Sequence, residues 1–164
     1  MFYIVGLDPS LASTGITVID ISGRVIYQEI VGYSLKRTST YQERMDRLKV
    51  IAERVMSVVN AHKVEGRLPY VGIENFAFGA KTSAYDLGGV QAGIKLFMWV
   101  RWNLVCLEIS NTTARKKVIG NGRASKEEIE AFVKKQGLVI HDHNCRDAWV
   151  IAEHYRQLIL KTKA

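Results

Sequence analysis

Cysteine is scarce in this sequence: Cys106 and Cys145 are the only two in 164 residues. Two thiols exclude a disulfide scaffold and any all-cysteine zinc site, and they read as the reduced thiols of a cytosolic protein. Proline is equally rare. Pro9 and Pro69 both lie beside candidate strands, and no linker-like or repeated segment divides the chain. No apolar run reaches the ~18–20 residues of a membrane-spanning helix, so no membrane partner is expected. The opening Met1-Phe2-Tyr3-Ile4-Val5-Gly6 is short, and it has neither the basic start nor the small-residue cleavage site of a signal peptide. It reads as a buried first strand, and the expected location is the cytoplasm. Acidic residues are in deficit, 16 Asp and Glu against 23 Lys and Arg, which leaves a formal charge of +7. A surplus of that size points to a polyanionic partner such as nucleic acid. The remaining composition, 48% hydrophobic and 24% charged, is that of one ordinary globular domain over residues 1–164.

Three short strands are expected first, at Tyr3–Leu7, Ile16–Asp20 and Val25–Val31, with turns at Asp8-Pro9-Ser10 and Ser22-Gly23. Met45, Leu48, Ile51, Val55 and Val59 then recur at helical spacing and predict a helix from about Thr40 to His62. Tyr70–Glu74 reads as a fourth strand and Leu104–Ile109 as a fifth, with a helix at Ser83–Val100 between them. That helix carries Gly88, Gly89, Ala92 and Gly93. Glycine weakens a helix, so this small-residue surface predicts a close helix contact. Helices are expected at Thr113–Ile119, from Ser125, whose Glu128 completes a capping box, and at about Asn144–Leu160. A meander followed by strand–helix alternation predicts an α/β fold with a mixed five-stranded sheet flanked by helices.

Asp8 and Glu74 each end an apolar strand, where α/β sheets place ligands. If the two strands are neighbours, the carboxylates converge and invite a divalent cation such as Mg²⁺. The structural alternative has Asp8 capping its turn and Glu74 pairing with a lysine. Asp147 is a third candidate acid. Its alternative role is to favour the helix dipole in a first turn that Asn144 caps. His141, Asp142 and His143 form either a metal site or a solvated loop. Arg115, Lys116, Lys117, Arg123 and Lys126 surround Gly120-Asn121-Gly122 without an intervening acid, as a phosphate-binding or merely solvated face. Phe76 and Phe78 follow Glu74 and either stack on unpaired bases or pack in the core.

In this order the motifs resemble the RuvC family of Holliday-junction resolvases, of the ribonuclease H-like superfamily. The resemblance runs from about residue 3 to 156. It is carried by Gly6-Leu7-Asp8-Pro9-Ser10 with Thr14-Gly15, Ile73-Glu74-Asn75-Phe76, the glycine-rich Leu87–Gly93, the basic Ala114–Gly122, and Arg146-Asp147-Ala148. It implies a ribonuclease H-like fold and a nuclease of bacterial or phage-infected cells that nicks four-way DNA junctions as a homodimer. Its metal ligands would be Asp8, Glu74, Asp147 and Asn144, holding two Mg²⁺ ions for which Mn²⁺ substitutes, with Asp8 as the bridge. Arg115, Lys116, Lys117, Arg123 and Lys126 would hold DNA, Phe76 or Phe78 would probe the junction centre, and helix Ser83–Val100 would form the dimer contact. Asn144 departs from the family's Asp or His. Three readings follow: a tolerated neutral ligand, replacement by His143 or Asp142, or an inactivated site. Two other functions compete with junction cleavage: a branched-DNA-binding protein that does not cut, and a nuclease acting on flaps and forks. A sugar-kinase-like phosphotransferase would need a second domain of this kind.

Overall fold

The computed structural model describes residues 1–36, 38–75 and 84–162, with the side chains at 84–86 left aside. Its strands are β1 (Tyr3–Asp8), β2 (Ser13–Asp20), β3 (Val25–Gly32), β4 (Tyr70–Glu74) and β5 (Leu107–Ile109). Its helices are α1 (Tyr41–Ala61), α2 (Ala84–Trp102), α3 (Asn111–Val118), α4 (Lys126–Lys135) and α5 (His143–Thr162). The strands form one sheet in the order β3-β2-β1-β4-β5. β1 pairs antiparallel with β2 and parallel with β4, β2 antiparallel with β3, and β4 parallel with β5. The expected mixed five-stranded sheet is therefore present.

Alternation along β1 sets the two layers, because successive side chains of a strand point to opposite faces. Val5 and Leu7 join Val71 and Ile73 in a core with Ile51, Val55 and Val59 of α1 and Val90, Ile94 and Met98 of α2. Ile4 joins the opposite core, with Trp149 and Ile151 of α5 and Ile129 and Val133 of α4. On that second face the strands carry glycine where α5 crosses. A Cβ at Gly6 would collide with the Ala148 carbonyl, one at Gly15 with the backbone of Asn144, and one at Gly72 with the Ile151 side chain. The three glycines let α5 lie against the sheet, and Thr17 fastens it by donating to the Cys145 carbonyl at 2.8 Å.

Several boundaries differ from the sequence expectation. β2 starts at Ser13, because Thr14 and Gly15 pair with Val31 and with Asp8 in the ladders on either side. β5 keeps only Leu107–Ile109; Asn103 takes φ +52° as α2 ends, which delays the strand. α3 starts at Asn111 because Ser110 is its cap, accepting from the Thr113 N–H at 3.2 Å. The capping boxes Thr40–Glu43 and Ser125–Glu128 are both formed. The small-residue surface of α2 is divided. Gly89 and Gly93 face Leu48 of α1, with 2.9 Å between Leu48 and a Cβ built at Gly93, so they serve packing within the chain. Gly88 faces open space. Ser83, expected to start this helix, lies outside the described residues.

Candidate active site

The register of β1 and β4 brings the first two acids together. Leu7 is opposite Ile73, so Asp8 and Glu74 stand side by side one step beyond the last paired residues. Both share the face of Gly6 and Gly72, on which α5 lies. Asp147, in the first turns of α5, supplies a third carboxylate whose charge bears on Asp8 and Glu74 alike. Asp8 and Asp147 are both buried.

Among the described residues, neither structural alternative for the first pair is realised. The loop after Asp8 is closed by Thr14, whose Oγ1 donates to the Ser10 carbonyl at 3.0 Å and accepts from the Ser10 N–H at 3.3 Å. The Glu74 carboxyl lies against that of Asp8, and among the described residues no salt bridge joins it to a lysine. Burial pushes the Asp8 carboxyl well above the usual carboxylate range, and the hydrogen bond to Glu74 and the charges of Glu74 and Asp147 push it the same way. Asn111 opposes the shift by donating from Nδ2 to Asp8 Oδ1 at 3.2 Å. Glu74 is raised as well, first by burial, and its hydrogen bond with Asp8 and the Arg115 charge act against the rise. Both carboxyls are held above the usual range because burial and neighbouring carboxylate charge disfavour their charged forms.

Arg115 is not the free surface cation that its basic surroundings suggested. Its side chain is largely buried, and Nη2 and Nε donate to Asp147 Oδ1 at 2.7 and 3.2 Å. Among the described residues, no three His, Cys, Asp or Glu side chains close around one point as they stand. The donor set still fits a hard divalent cation. It consists of carboxylate oxygens, and beside them the Asn111 amide oxygen is buried without a hydrogen-bond partner. Asn111 was missed by sequence reasoning. The available signal was its position two residues past the end of β5.

The structure separates Asn144 from its expected capping role. Asp142 caps α5: its Oδ1 accepts from the Asn144 N–H at 2.7 Å and its carbonyl from the Arg146 N–H at 3.0 Å. The Asn144 side chain instead donates to Ser13 Oγ at 2.9 Å. His143, the alternative ligand, is 42% exposed and sits 3.8 Å from Asp142. Lys116, Lys117, Arg123 and Lys126 are exposed on α3, on the following loop and at the start of α4. Gly120, in that loop, has φ +91°, so it is there to end α3. Gly122 is there to pass Thr112, whose carbonyl would lie 2.8 Å from a Cβ. Phe76 and Phe78 lie outside the described residues.

A mixed sheet with acids at the ends of two neighbouring parallel strands, and a third on a helix crossing them, defines the ribonuclease H-like class. The family model described as crossover junction endodeoxyribonuclease RuvC matches residues 4–152. The chain belongs to the RuvC family. The RuvC of Shewanella sp. strain W3-18-1 is 32% identical over 137 residues, covering 82% of this chain and 74% of that one. The RuvC of the Wolbachia of Brugia malayi is 27% identical over 154 residues, covering 93% and 92%. The Thermus thermophilus RuvC structure has the same fold, with a TM-score of 0.77 at 22% identity over 98% of both chains. A second structure of that protein, in complex with Holliday junction substrate, gives 0.78 at 21% identity, over 99% of this chain and 98% of that one.

Proposed function

We propose that this chain is a divalent-cation-dependent endodeoxyribonuclease that binds four-way DNA junctions as a homodimer and nicks two strands symmetrically. The observation that carries this reading is the pairing of Asp8 with Glu74 at the ends of β1 and β4, with the charge of Asp147 on α5 bearing on both, in a chain of the RuvC family. Asp8, Glu74, Asp147 and Asn144 would hold Mg²⁺ or Mn²⁺, two ions per site. A cation there supplies a water of lowered pKa and neutralises charge on a phosphodiester. Arg115 steadies Asp147 and lies where a phosphate at the acids would meet it. Lys116, Lys117, Arg123 and Lys126 would contact backbone phosphates, which fixes register on the duplex without reading sequence. Phe76 or Phe78 would stack on bases at the opened centre.

The homodimer reading rests on α2. Gly88, Ala92, Leu96, Trp99 and Val100 line one outer stripe of the helix, and Leu96, Trp99 and Val100 are 61%, 51% and 74% exposed. An apolar stripe with small residues at one end suits a second copy of the same helix across a two-fold axis. A four-way junction shares that symmetry, so two sites would reach two strands.

One observation favours a second reading, a branched-DNA-binding protein that cuts weakly. Asn144 contributes no charge, and Arg115 already occupies an oxygen of Asp147. Incubating the protein with a labelled four-way junction, a linear duplex and a flap in EDTA, Mg²⁺ and Mn²⁺ separates the possibilities. Symmetric metal-dependent nicks on the junction are expected. Junction binding in EDTA without cutting in either metal would favour the binding protein. Equal cutting of the flap would remove strict selectivity. Equal binding of junction and linear duplex would overturn the reading.

A further inference from the structure

Asn144 precedes Asp147 by three residues and so lies near it on α5, one turn earlier. Its backbone packs on Gly15, which is the ladder partner of Asp8. The residue is therefore held between two of the acids, and Asp142 has taken over the capping that would otherwise engage its side chain. A primary amide has two chemically opposite ends, an NH₂ that only donates and an oxygen that only accepts. The NH₂ end of Asn144 is committed: Nδ2 donates to Ser13 Oγ at 2.9 Å, across 131 residues of sequence. Ser13 opens β2, the strand that also carries Gly15, so one strand end seats both the backbone and the side chain of Asn144. With the nitrogen held there, the oxygen is the end left for the acids. An amide turned the other way would present N–H groups to a cation and repel it.

We propose that Ser13 is a positioning residue that holds the Asn144 amide with its oxygen as the neutral fourth donor of the cation site. This rests on the cation-dependent reading of the site given above. The Ser13–Asn144 pair then accounts for the departure from an acidic residue at this position. The donor atom is kept, one negative charge is lost, and the bond to Ser13 on the neighbouring strand fixes where the amide sits. Neutral oxygen donors are ordinary ligands for hard cations, although they bind more weakly than carboxylates.

Mn²⁺ binding by calorimetry in the absence of DNA tests this without reference to cleavage. The proteins compared are the wild type, Ser13→Ala, Ser13→Thr, Asn144→Ala, Asn144→Asp, the Ser13→Ala/Asn144→Ala double variant and Asp8→Asn. Ser13→Ala is expected to weaken binding about 3–10-fold, the loss of one oriented hydrogen bond. Ser13→Thr retains the hydroxyl and restores most of the affinity. In the Asn144→Ala background the Ser13 change has no further effect, as a coupled pair requires. Asn144→Asp tightens binding about tenfold or more by restoring the charge. The side-chain amide resonance of Asn144 in ¹⁵N spectra should shift on Mg²⁺ addition in the wild type, and broaden or move without metal in Ser13→Ala. If the wild type binds Mn²⁺, Asp8→Asn abolishes it and Ser13→Ala leaves it unchanged, the positioning role is wrong and the metal site stands. An equal Ser13→Ala loss with and without Asn144 also overturns the positioning role, because the effect is then a general one on the fold. If neither the wild type nor Asn144→Asp binds Mn²⁺, the metal site itself is wrong, and the proposal falls with it.

Discussion

Burial and two neighbouring carboxylates act together on Asp8, and the sign of their effect can be read in stability. An aspartate in an unfolded chain titrates near ~3.9. In the folded chain burial and the neighbouring Glu74 and Asp147 hold the proton on Asp8 well above that value. Between the two values the folded state binds more protons than the unfolded state, so stability falls as pH rises through that window. Above the folded value the whole penalty is present. Asp8→Asn should therefore raise the melting temperature in metal-chelating buffer at pH 8, and the gain should vanish below about pH 4. Melting curves at the two pH values check this, and an equal shift at both would show that the effect is packing rather than charge. Arg115 belongs to the same balance. Its pairing with Asp147 turns a residue of the basic segment inward, while its neighbours Lys116 and Lys117 stay exposed.

Helix α5 is the element on which the site depends. It brings Asp147 near enough to act on the acids of β1 and β4 only because the strands beneath it present Gly6, Gly15 and Gly72. A methyl group at Gly6 would meet the Ala148 carbonyl, which is backbone and cannot rotate away. Overpacking of this kind typically destabilises by about 1–3 kcal/mol. Gly6→Ala should cost at least that much in denaturant unfolding. It should also lower metal-dependent nicking by more than the loss of folded protein explains, because lifting α5 separates Asp147 from Asp8. Nicking that tracks the folded fraction alone would show that α5 tolerates the shift. The α2 helix shows the opposite use of glycine. Gly93 is spent against Leu48 inside the chain, and Gly88 remains open on the outer stripe.

For the assembled protein, the apolar stripe of α2 and the exposed cations of α3 and α4 make separate predictions. Leu96→Glu places a charge in the middle of the stripe. It should shift sedimentation from dimer to monomer and suppress paired nicks while leaving the fold intact. A wild type that sediments as a monomer at micromolar concentration would remove the dimer. Lys116→Gln and Lys126→Gln should each weaken junction binding and reduce the slope of log affinity against log salt by about one. Unchanged slopes would place the DNA elsewhere on the surface.

Most of the architecture was legible in the residues, for local reasons. Apolar β-branched runs, the Ser125–Glu128 capping box and helical periodicity act over a few neighbours, and they mark the element order and the two strand-end acids. The RuvC resemblance rested on motifs of the same kind, in order. Sequence spacing did not show that Asp142 rather than Asn144 caps α5, that Arg115 turns onto Asp147, that Asn111 donates to Asp8, or that Ser13 accepts from Asn144. Each of those is a contact between residues 32 to 131 positions apart or a competition between caps two residues apart. Such choices are made by the parallel register of β1 with β4 and by the close seating of α5, and both exist only once the sheet has formed. The identity of the acids is thus local chemistry, whereas their meeting, and the direction in which the Asn144 amide faces, are consequences of tertiary packing.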